Sequence, residues 1–500
     1  MNVAFFDFGE KTQIINYLND KYNWNPTICC DNSRGSDIDT NYKETLNIDT
    51  MKVRQGQFDY SEVEKITNVD KSVLDKLSPY ALDYLNVLED TNGHNFSFSQ
   101  RKFFYYRIIK YWLSVMNSKN IELVVFYTLP HTAASLSLYL VCKYILSINI
   151  IYIDIYPLLD RNLYLISDDI DNFTKQVESL YLSNNEINTS DKIIHYINNI
   201  KLNLEPSHMK NIKKNFGFKS SYFDFKGFIY LIVSTLLKGT GFKKSQLAWK
   251  KNYHLIESKK SLLNNFEYFF FIELVRNKNK FLRNKYRKYC KKPDFSKKFI
   301  YFASSYQPES RSNSMSGIFQ DQILALSMLN ENIPDDWIIL FKEHPSIFSN
   351  SPFFRGSLYR DDNYYEKITE LDKVKLISEK TDNFQLIEKS QAVSTIGGTT
   401  GWEAVVKGKP VINFGNCWYK PCKSIFNIES ELDLKIAIDK IIIGYKIDDK
   451  DIVRYLSAIE KCAYEIIARP EINKDENIKI DYEKIGEALY SSYAFLNGKN

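Results

Sequence analysis

The chain is poor in the residues that punctuate or staple a fold. Its 500 residues include only 18 glycines and 13 prolines, so no long flexible linker is expected. The seven cysteines are odd in number and scattered, with no CxxC pair. That excludes a disulfide framework or a zinc knuckle as the organising device and predicts a reducing, cytoplasmic setting. No apolar run approaches the roughly 20 residues that cross a bilayer; the longest, residues 228–237, is half that length. The start, Met1-Asn-Val-Ala-Phe-Phe-Asp-Phe-Gly9, lacks the basic and long apolar regions of a secretion signal and reads as a first strand. What is present, 44% hydrophobic and 25% charged residues, excludes a disordered chain, a collagen-like repeat and a coiled-coil rod. A chain of this length exceeds one hydrophobic core, so two domains or more are expected.

Charge is unevenly spread. The net formal charge is +5, yet residues 201–300 carry 24 Lys and Arg against 6 Asp and Glu, a balance of +18 that leaves −13 for the rest. Such a block predicts an anionic partner, or else a solvated helical surface. Its lysines alternate with apolar aromatic runs at residues 228–233, 268–272 and 281–289, the character of amphipathic interfacial helices. No stacking platform on a recognisable nucleic-acid module accompanies them, so no nucleic-acid partner is expected.

Apolar patterning divides the chain into four segments. In residues 1–165, strand-like runs at 3–8, 123–127 and 148–155 alternate with a helix-like stretch at 136–146, the spacing of a parallel sheet with crossover helices. Residues 40–94 are polar, acidic and without clear period. Residues 166–297 read as helical and contain the basic block. Residues 298–428 return to alternation, with strands at 298–303, 337–341, 374–377, 392–396 and 410–414 and helices at 320–329, 364–371, 381–389 and 402–407. Residues 429–500 read as helical, broken near Arg469-Pro470. The predicted fold class is α/β, with two Rossmann-like domains facing a cleft, a helical basic insertion and carboxy-terminal helices.

The strongest local signal is Gly397-Gly-Thr-Thr-Gly401, between the strand 392–396 and a helix predicted to start at Trp402. Glycines let a ligand approach the backbone, and N–H groups at a helix start, with the Thr399 and Thr400 hydroxyls, form an anion site. Gly398, Thr399, Thr400 and Gly401 are therefore candidate nucleotide-binding residues. Glu403, in the predicted first turn, favours the helix dipole and could reach ribose hydroxyls. The competing reading is a strand-to-helix turn whose threonines only cap.

Phe341-Lys-Glu-His-Pro345 directly follows a strand, where ligands sit in open α/β sheets. Lys342 and His344 could counter a phosphate, His344 could donate a proton as charge develops, and Pro345 holds the chain extended; a structural histidine is the alternative. Ser304-Ser-Tyr-Gln-Pro-Glu309 also follows a strand. Glu309 could act on an acceptor or stabilise an oxocarbenium-like centre, or merely cap a loop. Asp321 and Gln322 read as structural. In the first segment His131, Asp154 and Asp160 are candidate general bases for a sugar hydroxyl, or helix caps.

Gln307-Pro-Glu309, Lys342-Glu-His-Pro345, Gly398-Thr-Thr-Gly-Trp-Glu-Ala404, Gly408-Lys-Pro410 and Phe414-Gly415 with Trp418-Tyr419 together resemble the bacterial capsule and surface-carbohydrate biosynthesis family. That family includes the capsule Kdo transferases and shares an HP-type motif with bacterial sialyltransferases. The resemblance spans residues 298–425, with weaker similarity at Pro130-His131 and Asp160-Arg161. It implies a metal-independent GT-B glycosyltransferase without a cofactor. Its donor would be a nucleotide-sugar, often a CMP-linked keto-acid sugar such as Kdo or a nonulosonic acid. It also implies that His344 and Pro345 hold the nucleotide phosphate, and Thr399, Thr400 and Glu403 the phosphate and ribose. The Kdo enzymes carry an Asp in a Gln-containing loop after the first strand of this half; Glu309 stands nearest to it here.

The expectation is a transferase with catalytic candidates Glu309, His131, Asp154 and His344, donor contacts in the carboxy-terminal half and an acceptor, surface polysaccharide or glycolipid, bound by the amino-terminal half. Residues 205–297 would hold it on anionic lipid at the inner face of the cytoplasmic membrane. A sugar-nucleotide epimerase on the same plan and a non-catalytic subunit of a polysaccharide assembly complex are the alternatives.

Overall fold

The computed structural model describes residues 1–9, 11–31, 44–92, 97–156, 163–183, 188–202, 263–307, 316–349, 356–466 and 480–498. The chain forms two compact units. The first draws on Met1–Phe173 and Glu460–Asn500, and the described remainder makes the second.

The first unit is built on a seven-stranded sheet. Its strands are β1 (Asn2–Phe6), β2 (Asn25–Asp31), β3 (Leu46–Asp49), β4 (Leu123–Phe126), β5 (Asn149–Tyr156), β6 (Leu163–Ser167) and a last strand at Tyr464–Glu465. In space the order is last strand, β6, β5, β4, β1, β2, β3. Strands β1 to β5 are parallel, and β6 runs antiparallel to β5. All four residues of β4 and the last four of β1 are buried, the unbroken apolar runs of strands covered on both faces. The helix expected at 136–146 begins earlier, at Ala133–Leu140, where Thr132 and Ser135 form a capping box, and continues as a π-helical turn over Val141–Leu146. The unpatterned region 40–94 holds β3 and the whole of a long helix, Lys71–Asn92. The helix Tyr482–Leu496 packs on the helix Thr12–Tyr22: Ile485, Ala488 and Leu489 join Ile14, Ile15 and Leu18 in one core.

The second unit carries six parallel strands: β7 (Phe299–Ala303), β8 (Ile338–Lys342), β9 (Val374–Leu376), β10 (Ala392–Thr395), β11 (Val411–Asn413) and β12 (Ile425–Asn427). Their order is β12-β11-β10-β7-β8-β9. Five of the six are the predicted strands, and both units have the parallel, helix-connected build of a Rossmann-like fold.

Beyond residue 202 the described part of the basic block begins at residue 263, and its helix Leu263–Tyr289 corrects the interfacial reading of residues 281–289. Leu282 and Tyr286 are fully buried in the second core, and the Asn279 side-chain N–H donates to the Ser349 carbonyl at 2.5 Å. Arg283 and Arg287 pair with Glu379, and Lys285 with Glu366. Between residues 275 and 289 the buried apolar side chains of this helix are thus spent on the protein interior and several of its cations on carboxylates of the same chain. The runs at 228–233 lie outside the described residues. Among the described residues no helix is long and apolar enough to cross a membrane.

Candidate functional site

The second sheet changes direction at one place. From β7 the chain steps outward to β8 and β9, then returns to the other side of β7 with β10 and steps outward to β11 and β12. The loops leaving β7 and β10 therefore diverge at their carboxyl ends, the position where open α/β sheets leave a crevice for ligands. Registration brings Thr395, Ala303 and Lys342 side by side at this edge. Two predicted motifs and the start of the third leave the sheet here.

The glycine loop follows β10. The helix expected from Trp402 starts three residues earlier, as Thr399–Val406, because the Gly401 N–H donates to the Gly398 carbonyl and closes the first turn at 3.0 Å. Gly398 is the N-cap and lacks a side chain to cap with, so neither threonine caps this helix. Thr399 and Thr400 stand in its first turn, Thr399 exposed, and Glu403 falls one turn further along than expected. Gly397 has φ +81°, where a side chain is strained. Gly401 is required for another reason: a Cβ there would lie 2.5 Å from the Tyr419 hydroxyl. That hydroxyl donates to the Gly398 carbonyl at 2.6 Å and holds the loop from behind.

Facing this loop is a residue that the motifs did not single out. Ser305, just beyond β7, is 8% exposed, and its hydroxyl has no hydrogen-bond partner among the described residues. A Cβ built on Gly398 would sit 3.9 Å from it. The backbone of Ser305 is clamped by Gln322, which accepts its N–H and donates to its carbonyl, both at 2.9 Å. Gln322 and Asp321 are structural, as read from sequence; Asp321 caps the helix Gln322–Asn332.

Beneath the loops after β7 and β8 is a buried ion pair, Glu343 with Arg360, at 3.1 Å and with exposures of 0% and 1%. Glu343 also accepts from the Ser304 hydroxyl at 2.6 Å, the Tyr365 hydroxyl at 2.9 Å and the His344 N–H at 2.9 Å. Arg360 reaches on to the Gln307 side-chain oxygen at 2.7 Å. Burial alone would raise the Glu343 carboxyl; the Arg360 charge and these donors outweigh it and hold it below the ordinary carboxylate value. Sequence reading noticed Glu343 only as a motif letter and missed Arg360, whose partner lies 17 residues away.

His344 is thereby fixed in place. Its N–H donates to the Ser304 hydroxyl at 2.7 Å, and its ring Nδ1 accepts the Ser346 N–H at 3.2 Å. An Nδ1 that accepts leaves the neutral ring's proton on Nε2, so the imidazole presents a donor. Burial, helped by the charges of Lys342 and Arg360 and opposed by Glu343, lowers its pKa to about 4, so the ring is neutral at physiological pH. Pro345 opens the short 3₁₀ turn Pro345–Phe348 that supplies the Ser346 N–H. Lys342 is buried, and its ammonium donates to the Thr381 carbonyl at 2.6 Å and to Asn383; the cation expected to counter a phosphate is already bonded within the protein. Glu309 lies outside the described residues.

In the first unit the corresponding divergence falls between β1 and β4, and His131 follows β4. Its Nδ1 lies 2.7 Å from the Leu129 carbonyl. A carbonyl only accepts, so Nδ1 bears a proton. His131 thus donates from the nitrogen with which His344 accepts. Asp154 lies within β5 rather than at its tip, paired opposite Leu165 and buried. Asp160 and Arg161 lie outside the described residues.

Residues 311–422 match the family model described as capsule polysaccharide biosynthesis protein, which bears out the resemblance read from the motifs. No curated protein matches the chain. Among solved structures the chain aligns with KpsC of Thermosulfurimonas dismutans, a β-Kdo 2,7 transferase, at 12% identity over 73% of this chain and 98% of that one, with a TM-score of 0.26. It aligns with UDP-GlcNAc 2-epimerase of Methanocaldococcus jannaschii at 11% identity over 92% and 100%, TM-score 0.25. A trehalose-6-phosphate synthase aligns at 10% identity over 98% of each chain, TM-score 0.29. Scores this low assign nothing to individual residues, and the fold stands on the two sheets themselves.

Proposed function

We propose, taking the capsule polysaccharide biosynthesis match over residues 311–422 as the premise, that this chain is a glycosyltransferase moving a sugar from a nucleotide-sugar donor to a polysaccharide or glycolipid acceptor. The observation that carries the reading is the divergence of β7 and β10, where the uncapped helix start at Gly398 meets the buried, unpartnered Ser305 hydroxyl. Backbone N–H groups at a helix start favour an anion, and a buried hydroxyl without a partner costs about 1–3 kcal/mol until one arrives. The nucleotide phosphate supplies that partner.

In this reading Thr399, Thr400 and Ser305 hold the phosphate, Gly398 and Gly401 allow its approach, and Glu403 takes the ribose. His344 Nε2–H donates to the leaving phosphate oxygen, and Pro345 keeps that ring in place. The acceptor hydroxyl attacks the anomeric carbon as the bond to phosphate breaks, the bond electrons leave with the phosphate, and the hydroxyl proton passes to a general base, for which His131 is the first candidate. Lys342 serves by tying Asn383 and Thr381 to the tip of β8. Glu309 is the proposed carboxylate next to the reacting centre, and Asp154, enclosed in β5, is the lesser base candidate. The donor favoured by the resemblance is a CMP-linked keto-acid sugar, and the reaction uses neither metal nor cofactor. A lipid-linked acceptor places the enzyme peripherally at the inner membrane face, with the basic block of residues 205–297 among the segments that hold it there.

The test is turnover of CMP-Kdo and of UDP-linked sugars with and without lipid-linked glycan. Free nucleotide released only with acceptor, and lost in His344→Ala, is the expected result. Conversion of donor alone would make the chain an epimerase, and binding without turnover a non-catalytic subunit; either overturns the proposal.

A further inference from the structure

One helix of the first unit presents a surface that the fold does not use. The helix Phe98–Ser118 starts at a capping box in which Ser97 and Gln100 exchange hydrogen bonds at 3.2 and 2.8 Å, fixing where its first turn faces. One side of it, Phe104, Tyr105, Ile108, Ile109 and Trp112, is buried. The other side, at spacings of three and four, carries Lys102, Phe103, Tyr106, Arg107 and Lys110, none of them buried. Phe103 is 63% exposed, and Phe98 at the first turn is 58% exposed. Single exposed apolar side chains are ordinary, but Phe103 and Tyr106 share one face with Lys102, Arg107 and Lys110, whereas Phe98, five residues before Phe103, projects on another side. Leu82, on the neighbouring helix Lys71–Asn92, is 61% exposed as well.

The charges around these rings have one sign. The helix contains Arg101, Lys102, Arg107 and Lys110 and no carboxylate, and no Asp or Glu occurs between Asp90 and Glu122. The Arg107 guanidinium lies over the Phe103 ring at 5.6 Å and the Phe58 ring at 5.0 Å, and Lys102 over Tyr106 at 5.7 Å. Cations held beside exposed rings, without internal carboxylates on the same helix, differ from the paired cations of the helix Leu263–Tyr289.

We infer that the amino-terminal half of this helix is a docking surface for an anionic phospholipid membrane, with Phe103 and Tyr106 entering the headgroup boundary and Lys102 and Lys110 meeting lipid phosphates, while Arg107, bonded to the Gly56 carbonyl, adds to the positive field. Exposed rings interleaved with cations on a helix face without carboxylates fit the headgroup boundary of an anionic bilayer, and no nucleic-acid module accompanies them, which decides for lipid over nucleic acid. The inference stands apart from the proposed sugar transfer and from residues 205–297.

The full chain is sedimented with vesicles of phosphatidylcholine alone and of phosphatidylcholine with an equal part of phosphatidylglycerol. The wild type is expected to pellet with the anionic vesicles and far less with the neutral ones. Phe103→Ser/Tyr106→Ser and Lys102→Gln/Lys110→Gln each lower that partition roughly tenfold or more, with melting temperatures close to wild type because none of the four side chains is buried. Equal binding to both vesicles, no wild-type binding, or either double variant pelleting like wild type overturns the inference. Self-association that these substitutions abolish also overturns it, in favour of a second copy as the occupant.

Discussion

Replacing Glu343 by Gln keeps the shape of the side chain and removes its charge. Arg360, only 1% exposed, is then left as a buried cation without its counter-charge. Breaking such a pair from one side costs about 3–5 kcal/mol, because the orphaned charge bears the desolvation penalty. The amide also loses part of its capacity to accept from the Ser304 hydroxyl, the Tyr365 hydroxyl and the His344 N–H. For a unit of this size each kcal/mol shifts the melting point by roughly 2–4 °C, so calorimetry of the full chain should show its second-unit transition lowered by roughly 6–20 °C. Arg360→Met should cost a similar amount, and the double variant far less than the two together, with a coupling of about 2 kcal/mol or more. Since Glu343 and Arg360 also fix Ser304, Gln307 and His344, nucleotide affinity should fall in both single variants. A loss under about 1 kcal/mol, or additive losses, would refute the idea that this pair holds the site's floor.

Two further outcomes follow from the same geometry. The unfolded chain protonates His344 near the ordinary value of 6.5, whereas the folded chain resists until about pH 4; stability is therefore lost as pH falls through that window, by about 3 kcal/mol in all, and His344→Gln should remove this part of the slope in pH-dependent denaturation. Gly401→Ala would drive a methyl into the Tyr419 hydroxyl and free the Gly398 carbonyl; a loss of about 1–3 kcal/mol on denaturant unfolding, with weakened nucleotide binding, is expected despite alanine's better helix propensity, and a stabilised variant would contradict the crowding.

The strands of the second sheet were legible because central parallel strands are near-continuous apolar runs, as in Phe299–Ala303 and, up to its closing lysine, Ile338–Lys342. Strand β2, Asn-Pro-Thr-Ile-Cys-Cys-Asp, was not, since Pro26 and polar ends mask its buried centre. The return of the helix Tyr482–Leu496 to the first unit had no local signal, because its partners Ile14 and Leu18 lie more than 460 residues away in sequence. Glycine loop and His-Pro motif announced themselves by residue type. The helix start at Thr399 did not, because Gly401 reads as a breaker until Tyr419 is seen packed against it. Ser305 and Arg360 acquire meaning only from strand order and burial: a serine after a strand is common, and only adjacency to Gly398 and the lack of a partner mark this one.

The most direct measurement is a calorimetric titration of the full chain with CMP, UDP, GDP and CDP, repeated on Ser305→Val and Thr400→Val. One nucleotide, CMP on the favoured reading, should bind the wild type at a single site and bind each variant at least roughly tenfold more weakly, as the loss of a charge-assisted hydrogen bond requires. Wild-type protein that takes up none of the four, or variants that bind as tightly as wild type, would contradict a phosphate held where β7 and β10 part.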